Sequence, residues 1–178
     1  MNQPQPLPLR TLVTRLAGRL RSKYRHFNAM PFFQKKWLPV IWFLLGFSKI
    51  IVFTYPMRKL APKLGQDIGP AAYVPLVTQQ QQLTALQLGR AIRCAAQYTP
   101  WESNFFPQAI TARILLGWYG IPYSVCFGLA KNHETGGLSG HAWVTSGRIR
   151  VTGGESFGEF TVVGCFIGKT LTQEWVSP

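Results

Sequence analysis

Residues Trp37 to Tyr55 read WLPVIWFLLGFSKIIVFTY, an apolar run interrupted by Pro39, Gly46 and Lys49. A helix that crosses a bilayer needs about 20 mainly apolar residues, so this run stands at the border of three structures. It can be a core helix of a folded domain, an interfacial helix assisted by basic flanks, or a true span. Core helices of soluble domains have the same look, and a core helix is the expectation here. The run then has to be packed by whatever follows it.

The chain has 178 residues, enough for one domain with a proper core, in which roughly two thirds of the unfolded surface is buried. A hydrophobic fraction of 47% and six tryptophans supply the apolar area that an ordered chain requires. Charge is distributed unevenly. There are 19 Lys and Arg against 6 Asp and Glu, 12 of the basic residues precede Gly65, and Asp67 is the only acidic residue before Glu102. Residues 1–29 therefore form a basic arm, with a helical signal between Leu12 and Tyr24 where Leu12, Leu16 and Leu20 recur. Such an arm attracts nucleic acid, anionic membrane or acidic peptide alike. No zinc-finger spacing, RNA-binding strand motif or helix-turn-helix supports nucleic acid, so no nucleic-acid partner is expected.

Cys94, Cys126 and Cys165 are far apart and lack CxxC spacing, which suggests neither a zinc site nor a disulfide framework. Their odd number, and the polar, Pro-rich start Met1 to Pro8, point to a reducing cytoplasm. Peripheral membrane contact through the arm and the apolar run stays open. No metal or cofactor is expected.

Residues Gly65 to Gln82 read as a loop, and Leu83, Leu86, Leu88, Ile92 and Ala95 mark a one-sided helix over Gln82 to Tyr98 that Pro100 ends. A second helix is expected from Asn104 to Tyr119. Ser103 or Asn104 would cap it with a side-chain oxygen, Pro107 suits its first turn, and Gly117 and Gly120 punctuate its end. After Pro122 the pattern changes to strands at Tyr123 to Leu129, His141 to Ser146, Arg148 to Thr152 and Phe160 to Phe166, with Ser146-Gly147 as a hairpin turn. A capped helix start followed by a histidine-bearing strand is the order in which a thiol nucleophile and its imidazole base are placed in papain-like and transglutaminase-like sites.

Four motifs occur in order: YTPWESNFFPQA at 98–109, LLGWYGIP at 115–122, His141-Ala-Trp143 and VTGG at 151–154. Together, across about residues 30 to 168, they resemble the lasso-peptide biosynthesis B protein family, peptidases that remove the leader from a ribosomally made precursor. The resemblance implies an α+β fold with a transglutaminase-like (papain-like) core, N-terminal helices packed on a small antiparallel sheet, over residues 30–178. It also implies a Cys-His-Asp site. His141 falls at the base. The cysteine position holds Phe105, and the strand after the histidine offers Thr152 where the aspartate is expected. Trp101 and Trp143 are candidates for substrate contact, although tryptophans in such places more often only pack.

Cys94 and Cys126 are read as small buried hydrophobes and not as replacement nucleophiles, and Ser103 as a cap. His26 and His133 are read as exposed and without role. The partners implied are a precursor peptide, an asparagine-synthetase-like cyclase and a separate leader-recognition protein, since residues 1–60 lack a small β-rich recognition module. The functions left open are leader peptidase, non-catalytic pseudo-peptidase that binds the precursor or supports the cyclase, and membrane-surface protein.

Overall fold

A computed structural model describes residues 28, 30–131, 136–154 and 156–168. The expected helix at Leu12 to Tyr24, the basic arm up to residue 27, His26 and His133 lie outside the described residues. Two helices come first, α1 (Phe32–Thr54) and α2 (Met57–Leu64), then a two-residue strand β1 (Gln66–Asp67). Helices α3 (Gln79–Ala96) and α4 (Phe105–Trp118) follow, and the remainder is strands β2 (Ser124–Lys131), β3 (Leu138–Ser146), β4 (Ile149–Thr152) and β5 (Thr161–Ile167), with a 3-10 turn at Ser156–Glu159. The result is the α+β architecture read from the sequence.

The strands form one antiparallel sheet in the order β1-β5-β2-β3-β4. Alternation along the strands sorts its two faces. Val125, Ala142, Val144 and Val151 point into the main core, where Ile41 and Leu45 of α1, Leu88 and Ile92 of α3, and Leu115 and Leu116 of α4 meet them. Cys126, Trp143 and Cys165 point the other way and form a second cluster with Tyr73, Phe160 and Val162.

Helix α1 packs chiefly against α3 and α4. Its buried residues are Gln34, Ile41, Leu45 and Ser48, one side of the helix, and the Ser48 hydroxyl bonds to the Thr111 hydroxyl of α4 at 3.2 Å. The expectation of a core helix therefore holds for one side alone. On the opposite side Phe43, Phe47, Ile50 and Phe53 are exposed.

Helix α3 starts earlier than expected. The Thr78 side chain accepts from the Gln81 N–H at 3.3 Å, and the Gln81 side-chain oxygen accepts from the Thr78 N–H at 2.9 Å. This reciprocal pair satisfies two otherwise orphaned donors, so the glutamine run forms the helix's first turn and not the end of a loop. Residues 66–67, also expected in that loop, pair with Phe166 and Ile167 as β1. On the sheet side of α3, Gly89 lets the helix approach β4 so closely that a Cβ there would lie 2.6 Å from the Val151 carbonyl oxygen. Arg93 donates to the same oxygen at 3.0 Å.

The sheet register places Cys126 of β2 opposite Cys165 of β5, and the two are joined by a disulfide across 39 residues of sequence. This corrects the expectation that the cysteines are unpaired. Spacing along the chain carried no hint of it, because the pairing is created by the β2–β5 register. With Cys94 the one free thiol among them, the odd count loses its force as a marker of compartment.

Candidate functional site

Helix α4 begins at Phe105, with Asn104 in extended conformation before it. Neither expected cap forms. The Ser103 hydroxyl is bonded to the Thr99 hydroxyl at 2.9 Å, the Ser103 carbonyl accepts from the Gln108 side-chain amide at 2.7 Å, and no side chain caps the first turn. The positive end of the helix dipole is thus left without a side-chain acceptor, at the place where Phe105 stands.

Phe105 and Phe106 diverge. The Phe106 ring stacks on Phe127 at 5.6 Å and lines an apolar cavity of about 220 Å³ shared with Val52, Leu60, Leu64, Ile110 and Phe127. Phe105 is half exposed, and its ring meets the His141 imidazole edge to face with centroids 3.9 Å apart. A helix start and a strand 36 residues further on thus bring these two side chains into contact.

His141 lies in β3 opposite Gly128 and is only 1% exposed. The absent side chain at 128 makes room for the neighbours, since a Cβ there would fall within 3.0 Å of Phe160 and Trp143 atoms. The imidazole is stacked on Phe160 at 4.7 Å and lies 6.0 Å from the Trp143 ring. Its Nε2 is 2.6 Å from the Gly153 carbonyl oxygen. A carbonyl can only accept, so Nε2 carries a proton, and in the neutral tautomer this selects, Nδ1 keeps the lone pair. A neutral imidazole held this way by a backbone carbonyl has a free lone pair with which it can accept a proton.

Gly153 was not singled out by the sequence, although it stands in the VTGG motif. Its φ is +96°, and a Cβ there would collide with Trp143. A glycine is therefore needed both for the backbone conformation and for the close approach that brings its carbonyl to His141. Phe160 was missed as well, having been read only as the start of a strand. Thr152, one residue before Gly153, is buried, and its hydroxyl has no hydrogen-bond partner among the described residues.

The two tryptophans part company. Trp143 is buried beside His141 on the face of the sheet turned away from the main core. Trp101 instead packs on α1, 4.9 Å from the Trp42 ring and against Gly46, where a Cβ would be 3.0 Å away. On that face, Trp143, Phe160, Tyr73, Val162, Arg148 and Arg150 border an open trough of about 470 Å³.

No cysteine lies at the Phe105–His141 contact. Cys126 is buried and disulfide-bonded. Cys94 faces Met30, with the sulfurs 4.0 Å apart, and burial pushes its thiol up, away from the thiolate. Among the described residues no three His, Cys, Asp or Glu side chains are grouped as metal ligands would be.

A strand-borne imidazole facing the uncapped start of a core helix, over an antiparallel sheet, defines the papain-like and transglutaminase-like class of sites. The chain belongs to the transglutaminase-like superfamily, whose family profile matches residues 51–165 and so takes in both Phe105 and His141. Searches of curated proteins and of solved structures return no match.

Proposed function

We propose that the chain is a lasso-peptide maturation protein of the leader-peptidase type, which takes a ribosomally made precursor as its ligand and, with Phe105 in place, holds it without cutting it. The observation that carries this reading is the Phe105–His141 contact at 3.9 Å. On this reading His141, bonded to the Gly153 carbonyl and in contact with Phe105 at the helix start, is the base, and the group it faces has no lone pair. The four sequence motifs supply the link to leader removal, and the superfamily includes cysteine peptidases.

With a thiol at position 105, the chemistry would follow from the geometry. The uncapped helix start would favour the thiolate. His141 Nδ1 would take the thiol proton and later return it to the leaving amine as the acyl-enzyme forms, after which the same nitrogen would activate water for hydrolysis. Gly153 would hold the ring in the tautomer that permits this. A phenyl ring stops the sequence at its first step and leaves binding.

The precursor would lie in the trough beside Trp143 and Phe160, where Arg148 favours an acidic stretch of peptide. A separate leader-recognition protein and an asparagine-synthetase-like cyclase complete the proposed set of partners. The test is incubation of the purified chain with a precursor peptide encoded beside it, followed by mass spectrometry for cleavage and calorimetry for binding. Binding without cleavage, strengthened when a leader-recognition partner is added, is expected. Absence of binding with and without such a partner would overturn the reading.

A further inference from the structure

Helix α1 has large apolar side chains on both sides, yet it is buried on one side only. Its packed side carries Ile41, Leu45 and Ser48. Opposite, Val40, Phe43, Phe47 and Ile50 recur at intervals of 3, 4 and 3 residues, and Phe32 and Phe53 extend the row at its two ends. Phe43, Phe47 and Ile50 are 71%, 57% and 64% exposed and Phe53 is 90% exposed. From Val40 to Phe53 this exposed row is about 20 Å long, by the helical rise over 13 residues, and exceeds the scattered apolar residues normal on a protein surface.

Charge decides what covers it. Lys36 is exposed on the same side of the helix, and Lys59 and Lys63 are exposed just beyond its end. Residues 1–27 add six basic residues and no acidic one, within a chain of net charge +13. A second copy seated on this row would bring two such charges together. A surface with negative charge and an apolar interior meets both demands at once, because the long lysine stems can lie along the apolar boundary with their ammonium groups among the headgroups. The packed side of the helix, held by α3 and α4, prevents lipid from surrounding it, so the contact is one-sided.

We propose that the Val40–Phe53 side of α1 is a membrane-docking surface, on which the folded chain rests with the helix in the plane of an anionic bilayer. This proposal is independent of the peptide reading above and does not use His141 or Phe105.

The test is sedimentation of the full chain with vesicles of phosphatidylcholine alone and of phosphatidylcholine with phosphatidylglycerol. Binding to the second kind, weakened by salt, is expected, and Phe43→Glu with Phe47→Glu should lower the partition roughly tenfold or more. Ile50→Gln with Phe53→Gln changes the same row without adding charge and should act in the same direction, with unaltered thermal melting showing that either variant is folded.

Failure to bind anionic vesicles, or binding unchanged by both pairs of substitutions, overturns the proposal, the latter assigning it to the basic arm alone. So does a lipid-free dimer that these substitutions dissociate, which would assign the row to a second copy. Resistance to extraction at alkaline pH would replace docking by a span.

Discussion

His141 and Gly153 are tied by a 2.6 Å hydrogen bond that fixes which imidazole nitrogen holds the proton, and the glycine that makes it cannot be exchanged for any other residue without meeting Trp143. The orientation of the His141 imidazole is therefore stored in backbone conformation, at φ +96°, and not in a carboxylate. Gly153→Ala should destabilise the fold by about 1–3 kcal/mol, from the positive φ and the collision together. Urea denaturation measures this, and a variant as stable as the parent would show that the strand relaxes freely.

The chain as it stands should show no peptidase activity, and Phe105→Cys should create it. Loss of the nucleophile in triad enzymes lowers the rate by about a millionfold, so the gain would be evident in a simple cleavage assay. Phe105→Ala removes the ring without supplying a thiol and should stay inactive. Cleavage by the unaltered chain that alkylation abolishes would place the nucleophile elsewhere.

Under non-reducing conditions the unfolded chain should offer one thiol to an alkylating reagent, Cys94, and three after reduction. In the folded state Cys94 should react slowly near neutral pH, since burial pushes its thiol up. The Cys126–Cys165 bond closes a loop of 39 residues, for which chain entropy alone gives about 4 kcal/mol of stabilisation. Cys165→Ser should lower the melting temperature, and reductant should then have no further effect.

Helix α3 supplies two independent measures of the fold. Thr78→Ala removes the cap over the glutamine run and should cost about 1 kcal/mol. Gly89→Ala should cost about 1–3 kcal/mol by forcing α3 away from the Val151 backbone. If Gly89→Ala were stabilising, through ordinary helix propensity, the close approach of helix and strand would be looser than described.

The elements that were readable in the sequence are those whose signal is local. The strand periodicity after Pro122, the Ser146-Gly147 turn and the start of α4 near Asn104 all depend on neighbours a few residues apart, and the structure holds them within one to three residues. The Thr78 and Gln81 pair is a local signal too, a threonine three residues before a glutamine, but the run of polar letters around it reads as loop. The Cys126–Cys165 bond and the Gly153 carbonyl are different in kind. The first depends on a strand register spanning 39 residues, and the second on a backbone atom that every residue possesses and no letter marks. Contact between Phe105 and His141 was legible only because a family resemblance joined two positions that no periodicity connects.

The codons for phenylalanine and cysteine differ at the second base alone. The Phe105 ring sits at the α4 start against His141 while His141 is bonded to Gly153. On the reading proposed above, a single transversion would separate a chain that holds its peptide from one that cuts it, with the scaffold for the second already inherited by the first.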